Sequence, residues 1–161
     1  MKPTVSPPWA YALQLPHDPR APGIARATLR AVLKAYGLGE LTPTAELLAG
    51  ELLNNAHCHT DGPYALRLRS SSPEGIRVAV WDSNPRIPPG FAEERVPGHH
   101  PPGTAENGRG LHLVRSCADR WGAASPADAE DAGDAGDAGK LLWAEVTPGS
   151  PWRRGGGSGS A

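Results

Sequence analysis

The chain is poor in cysteine: Cys58 and Cys117 are the only two in 161 residues, and Phe and Met occur once each. Two thiols so far apart form no disulfide framework, and they lack the paired spacing of a zinc site. No uninterrupted apolar stretch approaches the roughly 20 residues needed to span a bilayer, so a membrane partner is not expected. Charge of one sign is not in excess either, with 16 Lys and Arg against 17 Asp and Glu. Without a basic field to gather phosphates, nucleic acid is not an expected partner. Lys2 is followed by Pro3, Pro7 and Pro8 rather than by an apolar run, so no export leader is expected. The expectation is a cytoplasmic protein with reduced thiols.

Glycine and proline, by contrast, are plentiful at 20 and 18 residues, which predicts many loops around a modest core. The length suits one domain. Trp9 to Leu15 reads as a first strand, and Gly23 to Tyr36 as a helix with Ile24, Leu29, Val32, Leu33 and Tyr36 as its apolar positions. Thr42-Pro43 predicts a second helix, Thr42 as N-cap and Pro43 in the first turn, running to about Thr60. Tyr64 to Ser70 and Gly75 to Trp81 alternate as half-buried antiparallel strands do. A loop rich in Pro, Gly and His covers 84–107, and a third helix is expected over Leu111 to Asp119. Trp121 to Ser125 and Lys140 to Val146 read as closing strands around an acidic, low-complexity loop at 126–139. Residues 1–8 read as an extension and 148–161 as a flexible tail on a domain spanning 9–147. These elements predict an α+β two-layer sandwich: a mixed, mostly antiparallel sheet of about five strands with three helices on one face.

Three stretches carry candidate chemistry. On the second helix, Leu48, Leu52, Asn55 and His59 share one stripe with Glu51 close beside it, so polar groups appear where the face should be apolar. Glu51 and Asn55 stand four residues apart, a spacing that lets a carboxylate and an amide oxygen serve one ligand; a satisfied internal network, or a helix end that emerges into solvent, is the simpler alternative. Asp82 leaves an apolar strand into Ser83-Asn84-Pro85, where it can reach a cleft or form an ordinary Asx-turn. Gly108-Arg109-Gly110-Leu111 opens a helix, where free N–H groups and the helix dipole favour phosphate, though two glycines also make a simple hinge. Leu113 and the lack of Gly-Lys-Ser or Gly-Lys-Thr exclude the dinucleotide fingerprint and the P-loop.

In their order and spacing these stretches resemble the GHKL superfamily of ATPases and kinases, which has the Bergerat fold, and in particular the small anti-sigma-factor serine/threonine kinases. Glu51 to Thr60 resembles the family's Asn box, Asp82 to Pro85 its Asp-containing box, and Gly108 to Val114 its glycine-rich box. Leu15-Pro16-His17-Asp18-Pro19 and Leu142-Trp143-Ala144-Glu145-Val146 are also similar to family segments, and the resemblance covers about residues 9 to 147. It implies ATP and Mg²⁺ as cofactors, with Asn55 coordinating Mg²⁺ and Glu51 as general base. It further implies that Asp82 reads the adenine amino group, and that Asn107, Gly108, Arg109, Gly110 and Leu111 surround the phosphates under a lid at 84–107. An anti-sigma-factor antagonist or a sigma factor is the implied partner, and a homodimer the implied assembly. Asn84 stands where the family often has Gly, and Asn107 where Gly or Ser is usual.

Three further readings compete. A detached histidine-kinase domain is expected to follow a dimerisation helix pair with a phospho-accepting His, whereas only a short strand-like segment and one helix are read before the second helix. The same fold could bind ATP, or a partner alone, without catalysis. A metal protein would use His57, Cys58, His59, His99, His100 and Cys117, but helical residues two apart, such as His57 and His59, point about 160° from each other.

Overall fold

Period-two patterning in the middle of the chain becomes a β-hairpin, and the rest of the sheet is laid against it. A computed structural model describes residues 8–72, 74–91, 114, 116–124 and 139–148. Its elements run β1 (Ala10–Leu15), α1 (Ala21–Ala35), a 3-10 turn (Gly39–Leu41), α2 (Thr42–His59), β2 (Tyr64–Ser72), β3 (Gly75–Asp82), β4 (Arg120–Ala124) and β5 (Lys140–Val146). The architecture is α+β. One five-stranded sheet has the order β1-β2-β3-β5-β4. All four pairings are antiparallel, so the parallel component of the expected mixed sheet does not occur among the described residues. Beyond the two long helices, the backbone is helical at residues 114, 116 and 117, inside the span expected for a third helix.

The two faces of the sheet differ because side chains alternate along each strand. Leu66, Leu68, Val78, Val80, Leu142 and Ala144 are buried in one core cluster with Leu29 and Leu33 of α1 and Leu48, Leu52 and Leu53 of α2. On the opposite face Ala79, Leu141 and Trp143 form a smaller cluster, with the Arg77 guanidinium 4.0 Å from the Trp143 ring. Each fully buried leucine in the helix–sheet seam contributes about 1.5–3 kcal/mol. The exposed Arg30–Glu46 pair, which links α1 to α2, adds at most about 1 kcal/mol. Apolar burial, not ion pairing, therefore fixes the position of α2.

Three expectations about the helices need correction. Helix α1 begins two residues early, at Ala21, because Pro22 sits in its first turn instead of preceding it. Ile24 is 57% exposed, since it lies off the stripe Ala21, Ala25, Leu29, Val32 that faces the sheet. Thr42 makes no capping hydrogen bond: the chain enters α2 directly from the 3-10 turn, with Leu41 in the cap position and already helical in its backbone.

Among the described residues, no helix is long and apolar enough to cross a membrane.

Candidate functional site

The polar end of α2 is where the core stripe gives way to chemistry. Leu48 and Leu52 are buried, and Asn55 continues their stripe half-buried. The Asn55 Oδ1 atom is buried without a hydrogen-bond partner among the described residues. An unpaired buried amide oxygen costs about 1–3 kcal/mol, so the position suits a cation or a donor brought by a ligand. Its neighbour Asn54 is exposed, and Asn54 Oδ1 is 3.7 Å from Cys58 Sγ. Of the two adjacent asparagines, Asn55 thus offers the sequestered oxygen.

Glu51, one turn earlier, faces a different space. It lines a cavity of about 470 Å³ between α1 and α2, together with Pro22, Arg26, Asn54 and His57. Neither Asn55 nor Asp82 lines this cavity, so it is not where those two groups meet.

At the end of β3, Asp82 is 1% exposed. Its position is fixed on both sides by sheet register, with Tyr64 opposite on β2 and Lys140 opposite on β5. Asp82 Oδ1 accepts hydrogen bonds from Lys140 Nζ at 2.9 Å and from the Asn84 backbone N–H at 2.8 Å. Asp82 Oδ2 is buried with no partner among the described residues. The turn that carries Asp82 is tied to α2, because Asn84 Nδ2 donates to the His59 carbonyl at 3.3 Å. Asn84 Oδ1 accepts the Arg86 N–H at 3.0 Å, so an asparagine at this position closes the turn through both ends of its amide. Strand end and helix end thereby form one unit.

The Leu15 to Pro19 segment packs against the same helix end. His17 stacks on His57 with ring centroids 4.1 Å apart, and His17 Nε2 is 2.8 Å from the His57 carbonyl oxygen. His57 Nδ1 lies 2.9 Å from the Tyr64 hydroxyl. Burial, followed by the charge of Asp18, raises the Tyr64 phenol above its ordinary range. Asp18 itself is held well below the usual carboxylate range by hydrogen bonds from the Arg20 guanidinium and backbone N–H. The imidazole expected on the inward stripe is therefore misassigned: His59 is exposed, whereas His57 is the ring engaged by the fold. His59 emerges into solvent because it belongs to the last turn of α2, beyond the sheet-facing leucines.

Asn107, Gly108, Arg109, Gly110 and Leu111 lie outside the described residues, as do His99 and His100. Among the described residues no three His, Cys, Asp or Glu side chains are grouped to hold a metal ion. Two residues at this site had no local signal. Lys140, 2% exposed, reads in sequence as an ordinary strand start, and Gly139 reads as the end of an acidic repeat. Only the pairing of β5 with β3 brings both against Asp82.

Residues 15–133 match the family model described as a histidine kinase-like ATPase domain. No curated protein matches the chain. The matched segment begins at the end of β1, takes in both helices, the Asn55 stripe and the Asp82 turn, and amounts to well over half of the chain. The chain belongs to the histidine kinase-like ATPase domain family, and that membership implies ATP binding.

Proposed function

We propose that this protein is an ATP- and Mg²⁺-binding regulator that acts as an anti-sigma-factor-type serine/threonine kinase by partner switching. The observation that carries the reading is a pair of orphaned buried acceptors, Asp82 Oδ2 and Asn55 Oδ1, on a strand end and a helix that the Asn84–His59 hydrogen bond ties together. Both atoms fit the groups the reading needs: an acceptor for the adenine amino group and a neutral oxygen ligand for Mg²⁺. Bound ATP supplies the phosphoryl group and Mg²⁺ the charge neutralisation that its transfer requires. The chain's own residues bind and position. Asp82 accepts a hydrogen bond from the base, and Asn55 offers Oδ1 to the cation. Asn107, Gly108, Arg109, Gly110 and Leu111, matching the family's glycine-rich box, are the residues proposed to bind the phosphates.

Glu51 holds the proton that leaves the accepting serine hydroxyl, acting as general base. What supports that role is the match of Glu51 to Thr60 to the family's Asn box, in which Glu51 stands one turn before Asn55. The partner proposed is an anti-sigma-factor antagonist or a sigma factor, and the assembly proposed is a homodimer. Glu51→Gln is expected to keep ATP affinity within about threefold while lowering phosphoryl transfer to the antagonist by at least about 10². Transfer of label from ATP to the purified antagonist measures this. Wild-type protein that binds ATP and transfers no label to any antagonist would leave the second reading, a non-catalytic ATP-dependent switch.

A further inference from the structure

Lys140 is a buried ammonium with a defined task. It sits opposite Asp82 in the β3–β5 register, and Nζ donates to Asp82 Oδ1 at 2.9 Å and to the Asn84 carbonyl at 2.9 Å. The Asn84 backbone N–H takes the second acceptor position of the same Oδ1. A carboxylate oxygen offers two lone-pair positions, so Oδ1 is saturated. Among the described residues, Oδ2 is the one oxygen of the carboxylate left without a partner.

We infer that Lys140 determines base specificity at this site: by saturating Asp82 Oδ1 it leaves a single acceptor, which takes a 6-aminopurine nucleotide and refuses a guanine nucleotide. The inference rests on the proposal that Asp82 reads the base. A 6-aminopurine needs one acceptor for one N–H of its exocyclic amine. Guanine seated in the same way would set its O6 against the carboxylate, acceptor to acceptor. The alternative seat for guanine pairs N1–H and the 2-amino group with the two oxygens of one carboxylate, and that seat needs Oδ1. With Lys140 in place, Oδ1 has no lone pair to give. A site that leaves buried polar groups of one ligand unpaired discriminates against it strongly.

The test is calorimetric titration of the wild type, Lys140→Met and Lys140→Gln with ATP, GTP and ITP. Wild type is expected to bind ATP in preference to GTP, and to bind GTP and ITP equally weakly, because the 2-amino group finds no second acceptor. In Lys140→Met one lone pair of Oδ1 is released, and GTP is expected to gain about tenfold or more over ITP. Lys140→Gln keeps a neutral donor one bond shorter than the lysine and is expected to raise the GTP to ITP ratio less than Lys140→Met does. If wild type binds GTP about tenfold tighter than ITP, Oδ1 is available and the inference is overturned, whether or not Lys140→Met folds. An unchanged GTP to ITP ratio in folded Lys140→Met overturns it as well. Absence of ATP binding in wild type is a different outcome, and it overturns the reading of Asp82 on which the inference stands.

Discussion

Asp82→Ala is expected to destabilise the fold by roughly 3–5 kcal/mol, the range for removing one partner of a buried ion pair. The physical reason is Lys140, whose side chain is 3% exposed and would be left buried with no carboxylate opposite. The Asn84 N–H would lose its acceptor in the same substitution, loosening the turn tied to α2. Asp82→Asn separates stability from binding. An amide oxygen can still accept from Lys140 and Asn84 in place of Oδ1, so the stability loss should be smaller. The amide nitrogen, however, takes the place of Oδ2 and presents a donor to the donor of the adenine amine. ATP affinity is therefore expected to fall by about 10² or more in the Asn variant, although it remains folded. Urea unfolding of both variants, beside titration of Asp82→Asn with ATP, checks this. An Asp82→Ala protein within about 1 kcal/mol of wild type would show that the buried pair does not hold the strand ends together.

Gly139→Ala is expected to cost about 1–3 kcal/mol and to weaken ATP binding together with stability. Gly139 has φ +105°, a backbone conformation that side-chain-bearing residues rarely adopt. A Cβ there would also lie 2.1 Å from the Asp82 carbonyl oxygen and 3.0 Å from Trp81 Nε1. The backbone oxygen cannot swing aside as a flexible side chain would. Either β5 lifts at its first residues or β3 bends, and both moves draw Lys140 away from Asp82. Gly23→Ala is the internal contrast. That glycine lies in the first turns of α1 with nothing within 4 Å of an added Cβ, so alanine should stabilise by about 0.4–1 kcal/mol. Thermal unfolding of the two variants should move in opposite directions. Equal small shifts would mean that the close approach of residue 139 to β3 carries no strain.

How much was legible in the sequence follows from which forces are local. The expected bounds of β5, Lys140 to Val146, coincide with the strand, and Tyr64 and Gly75 begin β2 and β3 as expected, but the strands are not half-buried as their alternation suggests, because a second cluster of Ala79, Leu141 and Trp143 covers the face opposite the helices. The helices were legible in type and blurred at their starts. Pro22 reads equally as a stop before a helix or as its first turn, and the 3-10 turn at Gly39–Leu41 that displaces Thr42 from the cap role has no period of its own. Glu51, Asn55 and Asp82 stand out in the sequence as polar residues on otherwise apolar patterns, and the fold leaves acceptor oxygens of Asn55 and Asp82 buried and without a partner among the described residues. Lys140 and Gly139 were not found. A lysine at a strand start is ordinarily solvated, and its burial here arises from the pairing of β5 with β3, two strands separated by most of the second half of the chain. His57 and His59 exchanged places for a related reason: helical period assigns a stripe, but where α2 outruns the sheet decides which ring is covered.

Calorimetric titration with ATP, with and without Mg²⁺, on wild type and Asn55→Ala decides whether Asn55 and Asp82 form the proposed Mg²⁺-dependent ATP site. Mg²⁺-dependent binding is expected in wild type and its loss in Asn55→Ala, with the variant unfolding at close to the wild-type temperature because the oxygen removed has no partner among the described residues. Wild-type protein that binds no ATP in the presence of Mg²⁺, or an Asn55→Ala variant that binds it with undiminished Mg²⁺ dependence, would show that Asn55 does not hold the cation of an ATP site.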